Sequence, residues 1–220
     1  MPSPNQLFKD VSPFSELDTV AIEKVSDKAR RHTFKKNTVI MPEGEPGECL
    51  YIIETGSVKV FVGDEDGREL VLYQEGPGSC IGDIALLDDE PRSASVITLE
   101  KTVAWSLSKQ DFLLCVEQNP AMSLSIIRSL TRRLRDATGG IRSLALDNVY
   151  RRLADKLIEL AVETEGELAL QKRYSHQDLG SMIGASREMV GKVITELVNG
   201  EYIELRDRKI HLLRNLPRNW

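Results

Sequence analysis

Glycines recur at short intervals between apolar runs in the N-terminal part of the chain, and this pattern constrains the fold more than any other feature. Eight glycines fall between positions 44 and 82. The short apolar runs occupy 50–54, 57–62, 69–73, 93–99 and 102–107. Asp66-Gly67 lies between two of them and is typical of a hairpin turn. Many short strands separated by glycine turns predict a β-sandwich or barrel with a roll topology.

Two further patterns precede these runs. Residues 16–31 place Leu17, Ile22 and Val25 at helical spacing, which predicts one helix over that range. Residues 34–41 alternate apolar and polar side chains and include β-branched residues, so they predict a strand. The N-terminal part is therefore expected to combine a helix with the β roll.

The stretch 82–95, which reads GDIALLDDEPRSAS, carries the residues best suited to a ligand. It offers a glycine, two backbone amides, a carboxylate, a guanidinium and a hydroxyl: Gly82, Ile84, Ala85, Asp83, Arg92 and Ser93. A carboxylate accepts from a sugar hydroxyl, whereas a guanidinium and a hydroxyl donate to a phosphate. These residues predict a small nucleotide cradle. The alternative is that Arg92 lies on the surface beside the neighbouring acids and Asp83 belongs to a turn.

Charge and cysteine content bear on whether the protein can bind DNA and on the compartment in which it acts. The net charge is −5, but residues 1–146 hold 17 basic and 22 acidic side chains, whereas residues 147–220 hold 12 of each. A basic face is therefore allowed in the last third. The three cysteines, Cys49, Cys80 and Cys115, are widely spaced and odd in number, which is typical of reduced thiols in a cytoplasmic protein. The sequence also shows no stretch that predicts a membrane segment. We expect no tightly bound cofactor and no metal. We find no catalytic constellation and expect no enzyme.

The middle of the chain is patterned to form a long helix that pairs. After a short helix over 109–117, Pro120 suits the start of a longer one. Its apolar residues follow heptad spacing: Ile127, Leu130, Leu134, Ala137, Ile141 and Leu144. We predict a dimer seam, the alternative being a helix packed on its own domain. Gly139-Gly140 interrupts this helix and indicates either a flexible point or a local weakness that packing overrides.

The last third has the pattern of a winged helix-turn-helix. An amphipathic helix over 147–162 and a possible strand over 168–174 come first. Ser175 with Asp178 forms a capping box for a helix over 177–183, which ends at Gly184. Ser186 then caps a second helix, and such a pair joined by a short glycine turn is a helix-turn-helix. Runs over 202–205 and 209–213 predict a hairpin wing.

The second of these two helices presents polar side chains near its start. Recognition helices contact base edges with their N-terminal residues, and Arg pairs with guanine whereas Glu accepts from cytosine. The predicted DNA-binding residues are Ser175, Ser186, Arg187, Glu188 and Lys192. The alternative is an ordinary solvated helix face.

Taken together, these motifs resemble the cyclic-AMP receptor protein and fumarate–nitrate regulator family of bacterial transcription factors, over nearly the whole chain. The resemblance rests on PGECLYIIETGSVKV, on Gly82-Asp83 with Arg92-Ser93-Ala94, on TRRL in the central helix and on SREMVGKVITELV. It implies an α+β protein with an N-terminal β jelly-roll cyclic-nucleotide-binding domain at 1–118, a central dimerisation helix and hinge at 119–146, and a C-terminal winged helix-turn-helix at 147–220.

The resemblance also implies roles for the cradle. In family members that bind cyclic AMP, Arg92, Ser93 and the amides after Gly82 would hold the cyclic phosphate, and Asp83 would accept from the ribose. Those members usually carry Glu at the position of Asp83 and a Thr-Ser pair where this chain has Ala137-Thr138. Thr138 keeps one donor for the base. Asp83 also resembles the branch that responds to cyclic di-GMP, and Lys192 stands where the family more often has Arg.

We therefore expect a homodimeric transcription regulator that reads a TGTGA-like DNA palindrome under the control of a cyclic nucleotide, with cyclic AMP as the first candidate. RNA polymerase is a partner implied by the family alone. The alternatives are a cyclic di-GMP-responsive or ligand-independent regulator, and a ligand-binding module that acts on a partner protein.

Overall fold

A computed structural model describes residues 4–164 and 166–216 of the chain. Its contacts divide into two compact units. One unit holds the chain through residue 62 and again from 72 to 136, and the other holds 63–71 and the chain from residue 137. Among the described residues, no helix is both long enough and apolar enough to cross a bilayer.

The N-terminal strands form two four-stranded sheets, as the glycine-separated runs predict. The strands are β1 Arg30–Phe34, β2 Val39–Met41, β3 Cys49–Thr55, β4 Val58–Gly63, β5 Glu69–Glu75, β6 Cys80–Ile81, β7 Ser95–Thr98 and β8 Thr102–Ser108. The sheet orders are β1-β8-β3-β6 and β2-β7-β4-β5. Apolar side chains such as Ile53, Val60 and Val96 belong to one buried cluster with contributions from both sheets.

The helix and the strand expected before this roll are shorter than the sequence suggests. Helix α2 covers only Thr19–Ser26, because Asp18 caps its start by accepting from the Ala21 amide and the chain from Arg30 pairs with β8 instead. The expected strand over 34–41 is broken by a turn at Asn37, whose φ is 61°. Tertiary strand pairing has overridden the local periodicity in both places.

The Asp66-Gly67 turn joins β4 to β5 as predicted. Gly67 has a φ of 76°, a value that glycine adopts without strain. The Asp64 carboxylate accepts from the amides of Asp66 and Arg68 and so holds the turn closed.

Helices cover one side of the roll. They are α1 Pro4–Asp10, α2, α3 Ile84–Leu87, α4 Lys109–Gln118 and the first part of α5 Pro120–Leu146. Phe8, Phe14 and Phe112 are fully buried and pack edge to face. Ser108 caps α4 as predicted, and Pro120 begins α5.

Helix α5 is continuous over 27 residues, including Gly139 and Gly140. Each glycine costs about 1 kcal/mol in a helix interior relative to alanine. Gly139 and Gly140 therefore lie within a regular helix and do not interrupt it.

The last third folds around a separate core. Its elements are α6 Val149–Leu160, β9 Ala161–Thr164, β10 Glu167–Leu170, α7 His176–Ile183, α8 Arg187–Asn199, β11 Ile203–Arg206 and β12 Lys209–Leu212. The sheet order is β11-β12-β10-β9. Leu153, Leu157, Leu179 and Leu197 are fully buried in this core.

Two boundaries in this part differ from the sequence prediction. The helix expected over 147–162 ends at Leu160, because Ala161 and Val162 pair with β10. The strand expected over 168–174 ends at Leu170. The sequence patterns do not predict the hairpin of β9 and β10, and pairing within that hairpin shortens both elements.

Candidate functional site

The candidate cradle lies between β6 and β7, where the chain leaves one sheet and enters the other. Gly82 begins it with a φ of 82°. A Cβ at this position would stand 2.5 Å from Met41 Cε and 2.8 Å from Arg92 Nη1, so only glycine fits without a shift of its neighbours. The close approach of these groups explains the glycine that opened the sequence motif.

Arg92 points inward and is only 8% exposed. Its Nη1 donates to the Gly82 carbonyl oxygen at 2.6 Å, and its Nη2 donates to the Cys49 carbonyl oxygen. None of the ion pairs within the described residues includes Arg92. Arg92 is thus buried among carbonyl groups instead of paired with acids at the surface. A buried cation that forms no ion pair with a carboxylate favours an anion.

A cavity of about 370 Å³, its open mouth included, adjoins Arg92. Six of the predicted ligand residues line it: Gly82, Asp83, Ile84, Ala85, Arg92 and Ser93. Met41, Val60 and Tyr73 belong to the rest of the wall, and burial raises the pKa of the Tyr73 hydroxyl above its ordinary value. Thr138, the seventh predicted residue, is exposed on α5 and is not part of this lining. The cavity joins a polar side to an apolar side, as small-molecule sites do.

Arg133 of α5 reaches the same cradle, a contact that the sequence patterns do not predict. Its Nη1 donates to Asp83 Oδ1 at 2.9 Å and its Nη2 to the Cys80 carbonyl oxygen at 3.3 Å. Burial alone would lower the pKa of Arg133, but the charge of Asp83 raises it above the ordinary value. Asp83 is 5% exposed and already accepts from a guanidinium. Helix α5 therefore contacts, through Arg133, the Asp83 carboxylate that we expect to accept from a sugar hydroxyl.

The apolar seam of α5 is largely exposed. The exposed fractions are 56% for Ile127, 67% for Leu134, 68% for Ile141 and 43% for Leu144. Ala137 is exposed as well, whereas Leu130 packs against the core of its own domain. Leu130 therefore fits the alternative in which the seam covers the chain's own core.

The helix-turn-helix is built by the capping residues that the sequence indicates. Ser175 and Asp178 form the reciprocal capping box of α7. Gly184 ends α7 with a φ of 63°, and the Ser186 hydroxyl accepts from the Met189 amide at 3.2 Å to start α8. Buried residues of α8 fix which of its faces meets solvent: Val190, Val193, Ile194 and Leu197.

The predicted DNA-binding residues all lie on the exposed side of this unit. They are Ser175, Ser186, Arg187, Glu188 and Lys192. Glu188 accepts from its own backbone amide and from the Ser186 hydroxyl, and these bonds lower the pKa of its carboxyl. An ionised carboxylate accepts hydrogen bonds only, as a contact to a cytosine amino group requires.

The wing forms at the predicted turn. Asp207 and Arg208 have φ values of 52° and 62°, the left-handed pair of a tight hairpin between β11 and β12.

The three cysteine thiols are poorly suited to covalent chemistry. Burial raises the pKa of the Cys49, Cys80 and Cys115 thiols, which makes each a poor nucleophile. Within the residues that the structure covers, no group of His, Cys, Asp or Glu side chains is arranged to hold a metal ion.

Comparisons with known proteins agree with this architecture. A family model described as the cyclic nucleotide-binding domain matches residues 31–119, and one described as a Crp-like helix-turn-helix domain matches residues 151–216. The CRP-like cAMP-activated global transcriptional regulator of Mycobacterium tuberculosis is 28% identical over 201 residues, which cover 90% of each chain. The cyclic AMP receptor protein of Thermus thermophilus is 30% identical over 176 residues, or 80% of each chain.

A solved structure is similar over most of the chain. It is that of the c-di-GMP-responsive global regulator of Xanthomonas campestris, with a TM-score of 0.78 and 26% sequence identity. The match covers 89% of this chain and 99% of that one.

Proposed function

The chain belongs to the CRP/FNR family of transcription regulators, with a cyclic-nucleotide-binding domain and a DNA-binding helix-turn-helix domain, and from this premise we propose that it is a homodimer whose DNA binding is controlled by a cyclic mononucleotide. The observation that carries this proposal is Arg92, a buried guanidinium that faces a cavity and has no carboxylate partner among the described residues. The family is one of regulators and not of enzymes.

In this proposal the cyclic phosphate binds Arg92, Ser93 and the amides of Ile84 and Ala85. The phosphate competes with the carbonyl groups that hold the Arg92 guanidinium, because a guanidinium binds an anionic oxygen more strongly than a neutral carbonyl oxygen. Asp83 accepts from the ribose hydroxyl while it stays paired with Arg133. Nucleotide binding thereby acts on a residue that contacts α5.

Cyclic AMP is our first candidate, because two relatives that match this chain over most of its length are a cAMP-activated regulator and a cyclic AMP receptor protein. Cyclic di-GMP is the second, because the structurally similar Xanthomonas campestris protein responds to it. A ligand-independent regulator is the third, since Arg133 already satisfies Asp83. A module that acts only on a partner protein would leave the exposed reading residues of α8 without a role.

The DNA partner that we propose is a palindrome related to TGTGA. Its half-sites would lie about 34 Å apart, to match the two helix-turn-helix domains of a dimer. Ser175, Ser186, Arg187, Glu188 and Lys192 would contact it. We also propose RNA polymerase as a partner and action in the cytoplasm, both of which are implied by the family alone.

We expect cyclic AMP to tighten the binding of such a palindrome at least tenfold, a coupling of about 1.4 kcal/mol. The measurement is fluorescence anisotropy of the labelled duplex at fixed salt, first with protein alone and then with saturating cyclic AMP. Equal binding in the two titrations would contradict cyclic AMP as effector. Cyclic di-GMP, added in a third titration, distinguishes the second candidate from a ligand-independent regulator.

Replacing Arg187 by alanine should cost about 1–3 kcal/mol at one G·C pair of each half-site. The physical reason is the loss of a two-pronged contact to guanine O6 and N7. Competition with duplexes changed at single base pairs measures it. Arg214→Ala serves as the control, because Arg214 is an exposed arginine of the same domain that pairs with Glu201. An Arg187→Ala variant that keeps the wild-type base preference would remove Arg187 from the set of reading residues.

A further inference from the structure

Arg152 lies on the first turn of α6 and makes three hydrogen bonds that no sequence motif predicts. Its Nε donates to the Ile183 carbonyl oxygen at 2.9 Å, its Nη1 to the Asp147 carbonyl oxygen at 2.7 Å, and its Nη2 to the Gly184 carbonyl oxygen at 3.4 Å. The side chain is half-buried. One guanidinium thus satisfies carbonyl groups from two separate parts of the chain.

The first part is the end of α5. Asp147 follows Leu146, the last residue of that helix, and its amide still donates to the Ser143 carbonyl oxygen at 2.9 Å. The carbonyl group that Arg152 binds therefore continues the last turn of α5.

The second part is the turn of the helix-turn-helix. Ile183 and Gly184 end α7, where carbonyl groups lack partners within the helix and a cation is favoured by the helix dipole. Only Ala185 separates Gly184 from Ser186, which caps α8, and Arg187 follows directly. The position of this turn therefore sets where the first residues of α8 stand.

We propose that Arg152 is a positioning residue for DNA recognition, which ties the end of α5 to the helix-turn-helix turn and so places the reading residues of α8. A shift at Asp147 is passed to Gly184 through one rigid, planar group. This role goes beyond the proposed control by a nucleotide, and only its use in transmitting a ligand signal rests on that proposal.

Arginine suits this task better than lysine. The planar fork presents donors in three fixed directions, whereas a lysine ammonium is a single point on a flexible chain and cannot reach all three oxygens at once. Arg152→Lys keeps the charge and loses the geometry, so it separates the two contributions. Arg151 provides the matched control, because it is exposed on the same helix and pairs with the carboxylates of Asp147 and Asp155.

The experiment compares full-length wild type with Arg152→Lys, Arg152→Met and Arg151→Met. Anisotropy measures binding to a palindromic duplex that the wild-type protein selects from a random pool, and to a scrambled duplex of equal length. We expect both Arg152 variants to lose about tenfold in the ratio of specific to non-specific affinity, with binding to the scrambled duplex unchanged. Arg151→Met should keep the wild-type ratio.

Two results would overturn the proposal. One is an Arg152→Lys variant that keeps the wild-type ratio while only its thermal midpoint falls, which would make Arg152 a structural cap. The other is an equal loss of the ratio in Arg151→Met, which would make the effect one of charge.

Calorimetry with cyclic AMP separates this proposal from the control by nucleotide. We expect Arg152→Lys to bind cyclic AMP with wild-type affinity but to show a smaller effect of cyclic AMP on DNA binding. If the wild-type protein itself shows no such effect, nucleotide control fails, and the ratio of specific to non-specific affinity still decides the role of Arg152.

Discussion

Replacing Arg92 by methionine should weaken the binding of cyclic AMP by at least about 30-fold. Truncating one partner of a buried, hydrogen-bonded charge pair costs about 2–5 kcal/mol, and in the bound state the phosphate would be left in the cavity without its cation. Methionine is unbranched and apolar and has no donor, so it removes the cation and keeps the apolar wall of the cavity. Isothermal titration calorimetry measures the affinity, and thermal unfolding reports on the fold.

Two further variants make this result decisive. Arg92→Lys keeps the positive charge but donates to fewer oxygens, so we expect an affinity between those of wild type and Arg92→Met. Arg68→Met removes an arginine from the hairpin turn, where it pairs with Asp64 and Asp66, and should bind like wild type. Wild-type affinity in a folded Arg92→Met protein would show that the anion site lies elsewhere.

The roll was predictable because its signals are local. Gly67 occupies the turn that its dipeptide indicates, and the runs between glycines became strands within one or two residues. The end of α2 was not predictable from periodicity, because Arg30 and Arg31 join a strand whose partner, β8, lies more than 70 residues away. Pairing between distant segments decided these boundaries.

Some residues of the candidate site could likewise be predicted from local sequence, whereas others could not. Gly82 and Arg92 belong to one short stretch, so their types and spacing indicated a cradle before any fold was known. Arg133 belongs to the TRRL motif but was not predicted to contact the cradle, and Arg152 is visible in the sequence only as a charged residue of an amphipathic helix. Arg133 meets Asp83 across 50 residues of chain, and Arg152 binds main-chain carbonyl groups, which carry no sequence signal.

Helix α5 combines a weak local helix signal with an exposed apolar stripe. Gly139-Gly140 lowers helix propensity, yet the helix continues through both residues. Their Cβ positions would meet no neighbouring atom within 4 Å, so no close packing in this chain requires glycine there. The apolar residues on the same helix have a stronger consequence, because they leave a hydrophobic stripe in contact with water.

Placing glutamate at both Ile127 and Ile141 should convert a dimer of this protein to monomers. These residues lie two heptads apart on the seam and are 56% and 68% exposed within one chain. In a paired helix each would be buried against the partner, where an apolar side chain contributes about 1.5–3 kcal/mol and an unpaired carboxylate costs several. We expect the dissociation constant of the dimer to rise at least about 100-fold, as measured by analytical ultracentrifugation.

Arg132→Glu is the matched control, since it changes the net charge by the same amount and lies on the opposite side of α5. That variant should remain dimeric. The double variant should also lose affinity for a palindrome while keeping that for a single half-site, because a monomer carries one reading head. A double variant that remains dimeric would place the dimer interface on another surface. If wild type itself were monomeric, the seam would instead be a surface for a different partner, and the spacing expected of two half-sites would fail with it.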